Sequence, residues 1–139
     1  MSRILAIDYG LKRIGIAITD HAHILATPLT TIENKDLISF LQSYFQAETV
    51  DTIVIGIPKD ISSDSDIVKA INTLQEDLKS IFKDKNIVTV DERYTSKIAT
   101  FLLNNYSTKR KQRREKKNID KISAAVILQS YLNARKKLE

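Results

Sequence analysis

The spacing of apolar positions changes several times along this chain, and each change marks an element. Residues 3–8 (RILAID) and 14–19 (IGIAIT) are short apolar runs rich in isoleucine, separated by YGLKR. Two such runs with so brief a connection predict antiparallel neighbouring strands. Residues 24–32 (ILATPLTTI) predict a third, weaker strand, which Pro28 places at a sheet edge or a bulge. From residue 35 the period becomes helical, with Leu37, Leu41 and Phe45 on one face and Ile38 beside them. Residues 52–57 (TIVIGI) form a continuous apolar run stopped by Pro58, the pattern of a strand buried on both faces. A polar stretch, KDISSDSD at 59–66, offers several helix caps before Ile67, Ile71, Leu74, Leu78 and Ile81 repeat at helical spacing. Ile87 to Val90 predicts a short strand running into Asp91-Glu92-Arg93. Ile98, Phe101, Leu102 and Tyr106 predict a further helix, and Asn118 is placed to cap a last one through Ile122, Ala125, Val126 and Leu132.

The predicted order is therefore β-β-β-α-β-α-β-α-α. Hairpins supply three strands and helical crossovers two, giving an α/β fold with a mixed five-stranded sheet and helices on both faces. With 139 residues, no internal repeat and no linker, one domain spanning 1–139 is expected. No cysteine is present, which excludes a disulfide framework, a thiolate zinc site and a cysteine nucleophile. The amino terminus reaches an acidic residue too early for a secretory signal, and no apolar run has membrane-spanning length. A soluble cytoplasmic protein with no membrane partner is expected.

Charge alters this picture at one place. The net charge is +5, yet KRKQRREKK at 109–117 holds seven basic residues and one acidic one, so the rest of the chain is close to neutral. Residues 105–117 are expected to be a flexible basic segment, since they offer little apolar surface to offset ordering. Taken alone, such a run is most simply a solvated linker; the alternative is a strap for a polyanion, nucleic acid ahead of membrane.

Three acids stand at element ends: Asp8 after the first strand, Glu92 after the last, and Asp120 in the first turn of the last helix. Each has an ordinary explanation. Asp120 suits the helix dipole, Glu92 can pair with Arg93, and Asp8 before Tyr9-Gly10 can form a turn. Together they mean more, because a central first strand with the last strand nearby would bring all three to one sheet edge. Converging carboxylates repel unless a divalent cation lies between them, and hard cations such as Mg2+ or Mn2+ favour such oxygen ligands. Paired ions of that kind support phosphoryl chemistry. The two histidines, His21 and His23 in the HAH turn, read as surface residues rather than ligands.

The segments IDYGLKRIGIAITD, VIGIP, VDERYTS and, after the basic run, NIDKISAAVILQSYL resemble the YqgF family over about Ile4 to Leu132. Its members are pre-16S rRNA nucleases or Holliday junction resolvase-like proteins of RNase H-like fold. The resemblance implies an acidic site on Asp8, Glu92 and Asp120, with basic positions on Lys12, Arg13 and Arg93. It departs from the family in one loop, since 59–66 lacks the usual glycine.

The expected protein is thus a two-metal, phosphodiester-cleaving nuclease that processes the 5′ end of pre-16S rRNA during ribosome biogenesis. Lys12, Arg13, Arg93 and the strap residues Lys109, Arg110, Lys111, Arg113 and Arg114 would hold the backbone of RNA in preference to DNA, and a monomer is expected. A Holliday junction resolvase-like DNA endonuclease is the first rival, one that requires a two-fold dimer. A non-catalytic ribosome-assembly factor is another. A sugar-kinase or actin-like nucleotide-binding domain is disfavoured, because that architecture closes two domains around its nucleotide.

Overall fold

The computed structural model describes the chain at residues 2–57, 65–91 and 116–138, the side chains at 91, 116–120 and 136–138 excepted. Five strands are present: β1 (Arg3–Asp8), β2 (Arg13–Thr19), β3 (Ala26–Glu33), β4 (Val50–Ile57) and β5 (Asn86–Asp91). They form one sheet in the order β3-β2-β1-β4-β5. The first three pair antiparallel, while β1, β4 and β5 run parallel. The helices are α1 (Leu37–Ala47), α2 (Asp66–Ile81) and α3 (Lys116–Leu138).

β1 lies at the centre, and Ile4, Leu5, Ala6 and Ile7 are all fully buried. Because successive side chains leave opposite faces of a strand, these four divide between two cores. Leu5 and Ile7 join Ile14, Ile16, Ile53 and Ile55 beneath α1 and α2, which contribute Leu41, Ile71 and Leu78. Ile4 and Ala6 join Ala17, Val54 and the α3 residues Ala124, Ala125 and Leu128 on the other face. Alanine on both sides of this second interface lets the α3 backbone lie close to the sheet.

Most predicted elements are present, and the differences have local causes. Ile24 and Leu25 precede β3 as exposed turn residues, because their N–H groups donate to the Asp20 carboxylate at 2.8 and 3.2 Å instead of to a strand. Those two bonds, Ile24 first, hold the Asp20 carboxyl below its ordinary range. Pro28 satisfies both expectations, since β3 is an edge strand and its pairing with β2 shifts between Ile16 and Ala17. Ser65 caps α2 by accepting from the Val68 N–H at 3.3 Å. Ile81 is 45% exposed at the end of α2, and Phe82 takes its expected place in the core. There Phe82 packs edge-on to Phe45 at 5.0 Å between ring centres.

α3 begins at Lys116, so Asn118 lies inside the helix rather than capping it, and Lys116 and Lys117 belong to the helix rather than to the strap. Both lysines are good helix formers, which carries the first turn back past the predicted start. His23 also departs from expectation. It is half-buried with a φ of 57°, and its Nε2 lies 2.7 Å from the Ser2 carbonyl oxygen. The predicted helix at 98–106, most of the 59–66 loop and residues 105–115 lie outside the described residues.

Candidate functional site

Asp8 is where the buried central strand meets solvent. Ile7 before it is fully buried and pairs with both Ile16 and Ile55; Asp8 is half-buried and pairs with Gly15 on β2. The alternation that turns Ile4 and Ala6 toward α3 turns Asp8 the same way. A carboxylate here sits at the rim of the core rather than in it, so its desolvation cost is modest.

The neighbouring strands add no side chain beside it on that face. Gly15 stands directly across from Asp8 on β2, and on β4 the residue after Ile55, the partner of Ile7, is Gly56. Both glycines share the parity of the α3-facing residues Ala17 and Val54. Two positions without Cβ atoms thus flank Asp8 on this face. Among the described residues no cluster of three His, Asp or Glu side chains forms a metal site.

α3 runs toward this edge with its N-terminus. Gln129 Oε1 accepts from the Ala26 N–H at 3.1 Å, at the start of β3. That corner adjoins the beginning of β1, since the Ile4 N–H donates to Thr19 Oγ1 at 2.9 Å and Thr19 pairs with Ala26. The nine residues from Gln129 back to Asp120 rise about 14 Å, comparable with the roughly 16 Å length of β1.

β5 reaches the same edge, being parallel to β1 through β4, with Ile57 opposite Asp91 at its last pairing. Glu92 and Arg93 lie outside the described residues, as do Lys109, Arg110, Lys111, Arg113 and Arg114. The structure thus brings Asp8 and the end of β5 to one sheet edge.

Lys12 and Arg13 follow Asp8 in a tight loop. Gly10 is required there for space rather than for a left-handed backbone: its φ is not positive, but an added Cβ would collide with the Arg13 carbonyl oxygen. Asn34, just after β3, secures the loop twice. Its Nδ2 donates to the Gly10 carbonyl at 2.8 Å, and its backbone N–H donates to the Lys12 carbonyl at 2.8 Å. Lys12 is exposed and Arg13 half-buried, on one wall of a cleft of about 790 Å3 whose other wall holds Thr31, Asn34 and Lys35. Asn34 is the functional residue that sequence reasoning missed. Its signal is the hairpin register, which pairs Arg13 with Glu33 and so sets residue 34 against the loop.

The comparisons agree with this geometry. The family model described as RuvX, Holliday junction resolvase, matches residues 2–134. A protein of Amoebophilus asiaticus named "Putative pre-16S rRNA nuclease" is 47% identical over 99% of this chain and 98% of its own length. A protein of Flavobacterium johnsoniae with the same name is 44% identical over 98% and 99%. Among solved structures, Thermus thermophilus RuvC in complex with Holliday junction substrate superposes with a TM-score of 0.64 at 10% identity, covering 96% of each chain. The fowlpox virus resolvase bound to Holliday junction DNA gives 0.60 at 14% identity, over 96% of this chain and 98% of that one. These two likenesses concern the fold, which is RNase H-like. With an acid at the rim of its central strand and a full-length family match, the chain belongs to the RuvX (YqgF) Holliday junction resolvase family of phosphodiester-cleaving hydrolases.

Proposed function

We propose that the protein is a divalent-metal-dependent nuclease that trims the 5′ end of pre-16S rRNA in the cytoplasm, acting as a monomer. The observation that supports this reading is that β1 and β5 end at one sheet edge, with Asp8 at the end of β1. Val88 and Val90 of β5 belong to the α3-facing core, the face that Asp8 shares by strand alternation. Asp8, Glu92 and Asp120 would hold Mg2+ or Mn2+. When bound, such ions activate water and neutralise charge on the phosphoryl oxygens. Lys12 and Arg13 then hold the phosphate backbone across the rim, and Arg93 with the 109–114 cations extends that hold. The fixed loop between Asp8 and Arg13 keeps acid and cations in constant relation, which serves proximity. RNA is favoured over DNA because the curated relatives are named for pre-16S rRNA.

The test is cleavage of precursor rRNA and of a four-way DNA junction by purified protein, with Asp8→Asn beside it. Asp8→Asn keeps the side-chain shape and removes a ligand charge, so cleavage should fall by orders of magnitude while the fold persists. Mg2+ should raise the Tm of the native protein more than that of Asp8→Asn. Full activity in Asp8→Asn would remove the acid from the mechanism. The resolvase reading is favoured by the two junction-bound structural neighbours. A stable dimer making paired nicks in junctions, with rRNA left intact, would establish it. Binding without any cleavage would leave an assembly factor.

A further inference from the structure

The cleft beside the acidic edge has a use that the carboxylates do not explain. Across the sheet the register runs Asp8 to Gly15 to Thr31, so a position without a side chain lies between the acid and the second wall of the cleft. Two strand spacings separate Asp8 from Thr31, about 10 Å. One wall carries Leu11, Lys12 and Arg13, the other Thr31 and Lys35, and Asn34 ties both walls together by its two bonds to the loop. Leu11 is 58% exposed, an apolar side chain lining the cleft next to Lys12 and Arg13. Lys35 has a 78% exposed side chain and an ion pair to Glu33 at 3.2 Å. Such an exposed pair contributes little and exchanges readily for a phosphate.

We propose that this cleft is a subsite for the single-stranded nucleotides flanking the scissile phosphate, with Lys35 on a phosphate and Leu11 against a sugar or base. Among the described residues the cleft is lined by the cations Lys12, Arg13 and Lys35 and by the acid Glu33. Leu11 offers an apolar surface to a base face, which is available in an unpaired strand and stacked away in a duplex. Phosphate contacts there position the strand without reading sequence. The enzyme would accordingly require an unpaired end next to the cut. This rests on the nuclease reading above, because the subsite is defined by its distance from Asp8.

The experiment measures binding by fluorescence anisotropy without divalent ions, so that nothing is cleaved. A short unstructured RNA is compared with a blunt RNA duplex across about 50 to 200 mM salt. Lys35→Gln should weaken single-strand binding about three- to tenfold and reduce the log–log salt slope by about 0.7. Leu11→Ser should weaken it about threefold at unchanged slope. Glu33→Gln should tighten it. Duplex affinity should stay within about twofold in each variant. All three side chains are exposed, so folding is retained, and circular dichroism verifies it. Unchanged single-strand affinity, or equal losses on both RNAs, would overturn the subsite. The Asp8→Asn cleavage assay stands apart: lost cleavage there with unaltered binding here overturns only the cleft, and the converse pattern overturns only the acidic site.

Discussion

Gly10→Ala separates two opposed effects whose sizes can be compared. Gly10 has no positive φ, so alanine can adopt its backbone conformation. On that ground alone the change should stabilise the protein by about 0.4–1 kcal/mol, by restricting the unfolded chain. The added Cβ, however, would run into the Arg13 carbonyl oxygen, a backbone atom at the start of β2 that cannot swing aside. Relief requires the 9–12 loop to move, and Asn34 resists through its bonds to the Gly10 and Lys12 carbonyls. Overpacking of this kind costs about 1–3 kcal/mol, and a broken hydrogen bond adds about 1. The steric effect wins, with a net loss of about 1–3 kcal/mol. For a chain of this size that lowers Tm by roughly 3–10 °C. Thermal unfolding followed by circular dichroism measures it. On the role proposed for Asp8, activity should suffer more than stability, because a displacement of about 1 Å at a reacting group costs about a hundredfold in rate. Cleavage at 25 °C, where the variant remains folded, reads that second effect. A raised Tm with undiminished cleavage would refute the close fit of this loop and its role in holding Asp8.

Asn34→Ala removes the bond to the Gly10 carbonyl and should cost about 1 kcal/mol. Combined with Gly10→Ala in a urea-denaturation cycle it should fall short of additivity, since both act on one contact. Asp20 accepts backbone bonds from Ile24 and Leu25 that hold its carboxyl below the ordinary range. A lowered folded-state pKa contributes stability that is present above the unfolded value and lost as pH falls through the folded one. Asp20→Asn should therefore destabilise at pH 7, with the difference from the native protein narrowing below about pH 4, as denaturation at both pH values will show. Neutralising Lys109, Arg110, Lys111, Arg113 and Arg114 should flatten the salt dependence of RNA affinity by about 0.7 per lost phosphate contact. An unchanged slope in that titration would leave the segment a solvated linker.

What could be read from the sequence was whatever depends on local periodicity. The alternation in β1 and β2, the apolar run of β4 and the stripe on α2 report burial directly, so element types and order follow from them. Boundaries were harder, because they turn on single bonds. Nothing in ILATPLTTI says that Ile24 and Leu25 donate to Asp20, or that Phe82 rather than Ile81 turns inward. The site divides in the same way. Asp8 is legible as a carboxylate at the end of a strand. Gly15 and Gly56 beside it, and Asn34 beneath the loop, become visible only with strand register, which is a tertiary property. Lys35 escaped for the same reason: in sequence it is one charge at the start of a helix, and in space it faces Lys12 across a cleft.

The two faces of the sheet divide stability from chemistry. The α1 and α2 side is built from large residues, Ile, Leu and Phe. The α3 side is lined by Ala6, Ala17, Ala26, Ala124 and Ala125, residues that bury less area yet permit close approach. A helix that lies close to the sheet has its axial position fixed by many short contacts, so its first turn cannot drift from the strand ends. That precision matters only at the edge where β1 ends, and Asp8 faces this side and not the other. β1 is held on both flanks up to Ile7, one residue before the carboxylate. A rigid strand end and a closely seated helix start are what a constellation of acids from distant parts of the chain requires, because mutual repulsion would otherwise spread them. The large-residue core supplies free energy that holds the β1 end in place.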